Sequence, residues 1–142
     1  FIPGVPLPPY EGDWMRRAEQ LEGRVLVVED EPGVQKFLSR LISMTGAEVV
    51  AAFDGKEALQ ALPPGEDVFL AILDLNLPDA SGLDILREIR RTHSALPVIL
   101  SSGYDASELP PELMEDRYLR FLRKPYQIAI FWEAFDSVLS EA

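Results

Sequence analysis

The chain has 142 residues, a length for one domain plus a modest appendage. Hydrophobic residues make up 47%, enough for a core, and the net charge of −11 argues against a nucleic-acid-binding face, which needs a basic surface. The absence of cysteine excludes disulfides and thiolate metal sites, and no apolar run approaches the ~20 residues a membrane helix needs.

Residues 1–10, FIPGVPLPPY, carry four of the twelve prolines and no charge, and read as an extended connector. In residues 11–22 a short helix is predicted, because Trp14, Ala18 and Leu21 fall at i, i+4 and i+7. After Gly23 the pattern becomes regular. Val25 to Val28 is an apolar strand running into Glu29-Asp30-Glu31, and Pro32 suits the first turn of a helix. Val34, Phe37, Leu38, Leu41 and Ile42 mark that helix's inward stripe, with Gly46 as its C-terminal stop.

Glu48 to Phe53 forms the second strand, and Asp54 caps a short helix through Leu62. Val68 to Leu73 is the third strand, and it delivers Asp74 at its tip. Ser81 caps a helix with Ile85, Leu86 and Ile89 inward. Its end carries His93, the only histidine, which reads as a surface residue near the negative helix end. Pro97 to Ser102 is the fourth strand. A weak fourth helix over 105–116 is interrupted by Pro110-Pro111, and Tyr118 to Leu122 is the fifth strand. The last helix, over 126–140, turns Phe131, Ala134, Phe135 and Val138 inward, which leaves Ile128 and Trp132 as a second apolar stripe. Together with Trp14, Ala18 and Leu21, that stripe is a candidate surface for packing of the lead helix or for a homodimer.

Strands apolar on both faces, alternating with helices, imply an α/β fold: a doubly wound, five-stranded parallel sheet of the flavodoxin-like kind with helices on both faces. In such sheets function collects at the carboxyl ends of the strands. Those ends carry Glu29-Asp30, Asp74, Ser101-Ser102-Gly103 and Arg123-Lys124-Pro125. Crowded carboxylates repel unless neutralised, and Mg2+, which takes hard oxygen ligands, is the natural counter-ion. An aspartate can attack phosphorus to form an acyl phosphate, with a metal, a lysine and a hydroxyl stabilising the moving oxygens.

The segments VLVVEDE (25–31), AILDLNLPDASG (71–82), LPVILSSGY (96–104) and FLRKPY (121–126) resemble the receiver domains of two-component signalling. The resemblance covers residues 24–142, with residues 1–23 as a linker. It implies that Asp74 accepts a phosphoryl group from a histidine kinase or histidine phosphotransfer domain. Glu29, Asp30, Asp74 and the backbone carbonyl of Asn76 would then hold Mg2+. Ser102 matches the switch hydroxyl, Phe121 the aromatic switch position, and Lys124 the lysine that pairs with the phosphoryl oxygens. Pro125 matches a proline whose preceding peptide bond is usually cis, and Gly103 a small-residue position beside the phosphorylation site. The switch would act on the face formed by the fourth helix, fifth strand and last helix.

A cytoplasmic module is expected, with no nucleic-acid partner, given the net charge of −11, and no direct membrane contact, given the short apolar runs. Such a module is not a conventional enzyme, although it promotes its own phosphorylation and dephosphorylation. Two settings fit: the C-terminal receiver of a hybrid histidine kinase, which the proline-rich lead and non-Met start favour, or a stand-alone regulator with no output domain after residue 142. Two rival functions remain open. An aspartyl-nucleophile phosphatase would often carry a second Asp at the position of Asn76, and a phosphorylation-independent interaction module would be expected to lack a pocket residue.

Overall fold

The computed structural model describes residues 21–62, 67–103 and 109–141. Five strands and five helices alternate along them: β1 (Arg24–Val28), α1 (Pro32–Ser43), β2 (Glu48–Ala52), α2 (Gly55–Gln60), β3 (Val68–Asp74), α3 (Gly82–Thr92), β4 (Val98–Ser102), α4 (Pro111–Met114), β5 (Leu119–Arg123) and α5 (Ile128–Leu139). The strands form one parallel sheet in the order β2-β1-β3-β4-β5. The winding direction therefore reverses between β1 and β3, which opens a crevice at their carboxyl ends.

The period-two alternation of the strands divides the core into two layers. Val25, Val27, Leu70, Ile72, Ile99 and Leu122 face α1 and α5. Leu26, Val28, Ala71, Leu73, Val98 and Leu100 face the layer that contains Ala58 of α2 and Ile85, Leu86 and Ile89 of α3. Both faces are covered, so the central strands are apolar throughout, as expected for an all-parallel sheet.

Local signals set the helix starts. Asp54 accepts the Glu57 N–H at 2.8 Å, and the Glu57 carboxylate accepts the Phe53 N–H at 2.9 Å, which satisfies donors at the start of α2 reciprocally. Ser81 accepts the Leu83 N–H at the start of α3. Gly46, with φ +91°, turns the chain from α1 toward β2.

Three expectations change. Trp132 is fully buried, packed edge-on against Phe131 and Phe135, and Ile128 is half-buried against the same core layer. The apolar stripe read as a contact surface is therefore core, because α5 packs aromatics from two successive turns, Phe131-Trp132 and Phe135, against the sheet. Phe37 is 44% exposed, and Gln35 takes a buried place on α1 instead. The described part of the fourth helix is a single turn, since Pro110-Pro111 can begin a helix but cannot lie inside one. Trp14 and Ala18 of the expected lead helix, and residues 105–108 of the expected fourth helix, lie outside the described residues.

Candidate functional site

Three backbone hydrogen bonds continue the sheet one step past its strand ends at the crevice. The Glu29 N–H donates to the Ala52 carbonyl at 3.0 Å, Leu75 N–H to Ser101 at 2.8 Å, and Lys124 N–H to Ser102 at 2.7 Å. Backbone pairing of this kind fixes Cα positions, so the side chains emerge from a rigid rim rather than from a free loop. The Gln35 amide reinforces that rim, donating to the carbonyls of Val27 (3.0 Å), Ala52 (3.1 Å) and Glu29 (3.3 Å). These carbonyls lie where the β1–β2 ladder ends, and without Gln35 buried acceptors there would lose a donor.

Glu29 and Asp74 are buried, 2% and 4% exposed, whereas Asp30 is exposed at the mouth. Carboxylate oxygens of the three lie within 4.8 Å of one another. Lys124 Nζ enters between two of them, 3.2 Å from Asp74 Oδ2 and 3.3 Å from Glu29 Oε2. The other Asp74 oxygen, Oδ1, accepts the Asn76 N–H at 3.0 Å. One ammonium does not balance three carboxylates. Burial, together with hydrogen bonding to Asp74 and its charge, pushes the Glu29 carboxyl up to about 8, against the opposing pull of Lys124. Burial works against the Lys124 ammonium, but Asp74 and Glu29 outweigh it and hold its pKa above the usual lysine value. Burial, with the same two acids beyond it, pushes the Tyr126 phenol up to about 12.

This donor set fits a small hard dication. The ligands are all oxygen, their crowding and burial push one carboxyl, that of Glu29, up to about 8, and Asp30 is exposed at the mouth. Glu29, Asp30, Asp74 and Lys124 thus come together directly. Ser102 is fully buried at the end of β4, paired in register with Arg123. Phe121 is half-buried on β5, packed against the core layer of α3. Gly103 is exposed, and a Cβ built there would meet nothing within 4 Å. The Lys124–Pro125 peptide bond is cis.

Gln35, Asp79 and Gly82 escaped the sequence reading. Gln35 had a faint signal, since it precedes Leu38 by three positions on the inward stripe. Asp79 accepts the N–H groups of Gly55 (2.8 Å) and Lys56 (3.1 Å), tying the β3–α3 loop to the start of α2. Gly82 packs on the backbone at the site itself: a Cβ there would run into the Asp74 carbonyl oxygen and lie 2.6 Å from Leu75 Cα.

The family model described as response regulator receiver domain matches residues 25–136. Among curated relatives, the probable transcriptional regulatory protein TcrX of Mycobacterium tuberculosis is 38% identical over 94 residues, 66% of this chain and 40% of that protein. The sensor kinase CckA of Brucella abortus is 33% identical over 117 residues, 80% of this chain and 12% of that protein. The chain therefore spans less than half of either relative. Among solved structures, the receiver domain of the hybrid histidine kinase CckA superposes with a TM-score of 0.65 at 31% identity, covering 82% of this chain and 99% of that one. The response regulator protein TrrA of Thermotoga maritima, in complex with Mg2+ and BeF, gives a TM-score of 0.67 at 27% identity, covering 82% and 98%.

Proposed function

The chain belongs to the response regulator receiver domains, phosphoacceptor modules of two-component signalling, and on that premise we propose that Asp74 is the residue that receives the phosphoryl group. The observation that carries this reading is the placement of Asp74 between Lys124 and the Glu29–Asp30 pair at the switch point of the sheet. An Asp74 carboxylate oxygen forms the new bond to phosphorus, the P–N bond of a phosphohistidine breaks, and the electron pair leaves with the imidazole ring, which takes up a proton.

Glu29, Asp30, the Asp74 carboxylate and the Asn76 backbone carbonyl would hold Mg2+. When bound, the dication offsets the negative charge gathering on the phosphoryl oxygens. Lys124 pairs with a phosphoryl oxygen from its anchored position, and a charge-assisted hydrogen bond of that kind is among the stronger ones available. Ser102 closes on the phosphoryl group from the end of β4, and Phe121 repacks with it, which passes the change to the face of α4, β5 and α5. The open space around Gly103 leaves room for the phosphodonor.

The donor is a histidine kinase or a histidine phosphotransfer domain, and the setting is cytoplasmic; among the described residues no helix is long and apolar enough to cross a membrane. Likeness to the receiver of a hybrid histidine kinase supports residues 24–142 as the receiver of such a protein, with residues 1–23 as the connector.

The test is incubation with acetyl phosphate and Mg2+, followed by intact-mass measurement. The expected product gains one base-labile phosphoryl group, absent from Asp74→Ala. An equal gain in Asp74→Ala would overturn the assignment.

A further inference from the structure

Of the four buried residues of α1, three are aliphatic and the fourth is Gln35, 4% exposed. Burying a carboxamide is costly unless its polar atoms are paired. Here they are. The Gln35 Nε2 donates to the carbonyls of Val27, Ala52 and Glu29, and its Oε1 accepts the Ser39 hydroxyl at 3.2 Å. Carbonyls only accept, so the amide nitrogen must face them, and Ser39 holds that orientation from the next turn of the helix. We propose that Gln35 is a positioning residue for the Mg2+ ligands: it fixes the Glu29–Asp30 peptide and so sets the direction in which both carboxylates leave the end of β1. The inference rests on the reading of Glu29, Asp30 and Asp74 as Mg2+ ligands, and extends it to a side chain that touches neither metal nor phosphoryl group.

The chain needs a clamp at this point. β1 ends at Val28 and α1 begins at Pro32, so Glu29, Asp30 and Glu31 lie between two regular elements. The sheet holds only the near side of Glu29, through its N–H on the Ala52 carbonyl at 3.0 Å. Gln35 takes the carbonyl on the far side of the same Cα, at 3.3 Å. That peptide group also carries the Asp30 nitrogen. One residue on, the Gln35 backbone N–H donates to the Glu31 carbonyl at 2.9 Å. Gln35 therefore brackets Asp30, with its side chain on the residue before and its backbone on the residue after.

Bracketing matters most for Asp30, because it is exposed and burial does not hold it in place. Glu29, by contrast, is also held by Lys124 at 3.3 Å. Mg2+ demands a near-ideal octahedron, so a ligand pair whose shared peptide can tilt binds it less well. The Ala52 carbonyl accepts from both the Glu29 N–H and the Gln35 amide, which ties the end of β2 into the same network. A glutamine that only satisfied these carbonyls would affect stability alone. A positioning residue affects Mg2+ affinity as well, and this difference is measurable.

Mg2+ alone is the probe, titrated calorimetrically into the metal-free whole chain. Gln35→Met keeps the side chain's length and removes both N–H donors. Its Mg2+ affinity should fall about tenfold, the low end of what partners behind metal ligands contribute. Arg90→Ala is the control for general loss of stability: it breaks the ion pair with Asp116 at the amino ends of β4 and β5, and should bind Mg2+ as the parent does. Ser39→Ala keeps the donors but frees the amide to turn. It stands in should Gln35→Met not fold, and should lose affinity by a smaller factor. Parent-like affinity in the folded variant would overturn the positioning role while leaving the metal site intact. An equal loss in Arg90→Ala would overturn it too, by reducing the effect to stability. A parent chain that binds no Mg2+ would overturn the metal reading itself, and the positioning role with it.

Discussion

Lys124 reaches across 50 residues of sequence to set its ammonium 3.2 Å from a carboxylate oxygen of Asp74. No apolar packing depends on Lys124, but its ammonium stands between two buried acids. Lys124→Ala leaves Glu29 and Asp74 without their shared cation, and should lower the unfolding free energy of the metal-free protein by about 1–3 kcal/mol. Urea denaturation measures it, and a variant as stable as the parent would show that water replaces the ammonium at no cost. Beryllofluoride should also fail to give the full spectral response in this variant.

Gly82 packs where no side chain fits, against the backbone that carries Asp74. Gly82→Ala forces that backbone or the start of α3 to move, at an expected cost of about 1–3 kcal/mol, and should slow phosphorylation by acetyl phosphate. Gly33→Ala is the control. Its Cβ enters open space within α1, and a helical glycine is worse than alanine by about 0.5–1 kcal/mol, so stability should hold or rise. Equal effects from the two substitutions would contradict the packing.

Asp79 gives a pH dependence with a defined sign. The Gly55 N–H has the largest effect and, with the Lys56 N–H and Asp79's own N–H, holds the carboxyl below the usual 3.8 against the opposing effect of burial. A carboxyl depressed in the folded state stabilises fully above its unfolded pKa, and that contribution fades as pH falls through the folded value. Asp79→Asn should therefore lower the Tm at pH 7 and narrow the gap to the parent as the pH falls below the usual carboxyl value of 3.8. Thermal unfolding across that range checks it; a constant gap would mean that the amide replaces the carboxylate or that the loop does not depend on either.

At the opposite edge of the sheet, Arg90 pairs with Asp116 at 2.7 Å and donates to the carbonyls of Leu96 (2.7 Å), His93 and Tyr118 (3.1 Å each). It joins the end of α3 to the chain entering β4 and β5. Arg90→Ala should cost about 2–3 kcal/mol, since partly buried acceptors and a carboxylate lose a charged donor together. Phosphorylation at a temperature well below the Tm should be unchanged. A loss of phosphorylation without loss of stability would tie Arg90 to the switch instead.

The strands were legible because a two-sided parallel sheet writes itself as apolar runs. Val25–Val28 and Val68–Leu73 need no partner to be recognised, and Asp54 and Ser81 announce their helices by local hydrogen bonds. The residues at the strand tips were legible for the same reason: once the strands are found, Asp30, Asp74, Ser102 and Lys124 are simply what comes next. Gln35 and Asp79 were not, because each bonds to chain 17 to 24 residues away, and polar residues on a helix or in a turn look alike until the partner is in place.

The sequence by itself determined the order of elements, the apolar faces and the set of groups at one edge, all properties of neighbours along the chain. Only the tertiary structure decided how those groups meet. It put Lys124 between Asp74 and Glu29, and it made Glu29 hard to ionise, because desolvation depends on what surrounds a carboxylate rather than on its place in the chain. It also turned Trp132 into the core and Phe37 out of it. A helix's apolar residues occupy more than one narrow stripe, and which of them is buried depends on the shape of the sheet beneath.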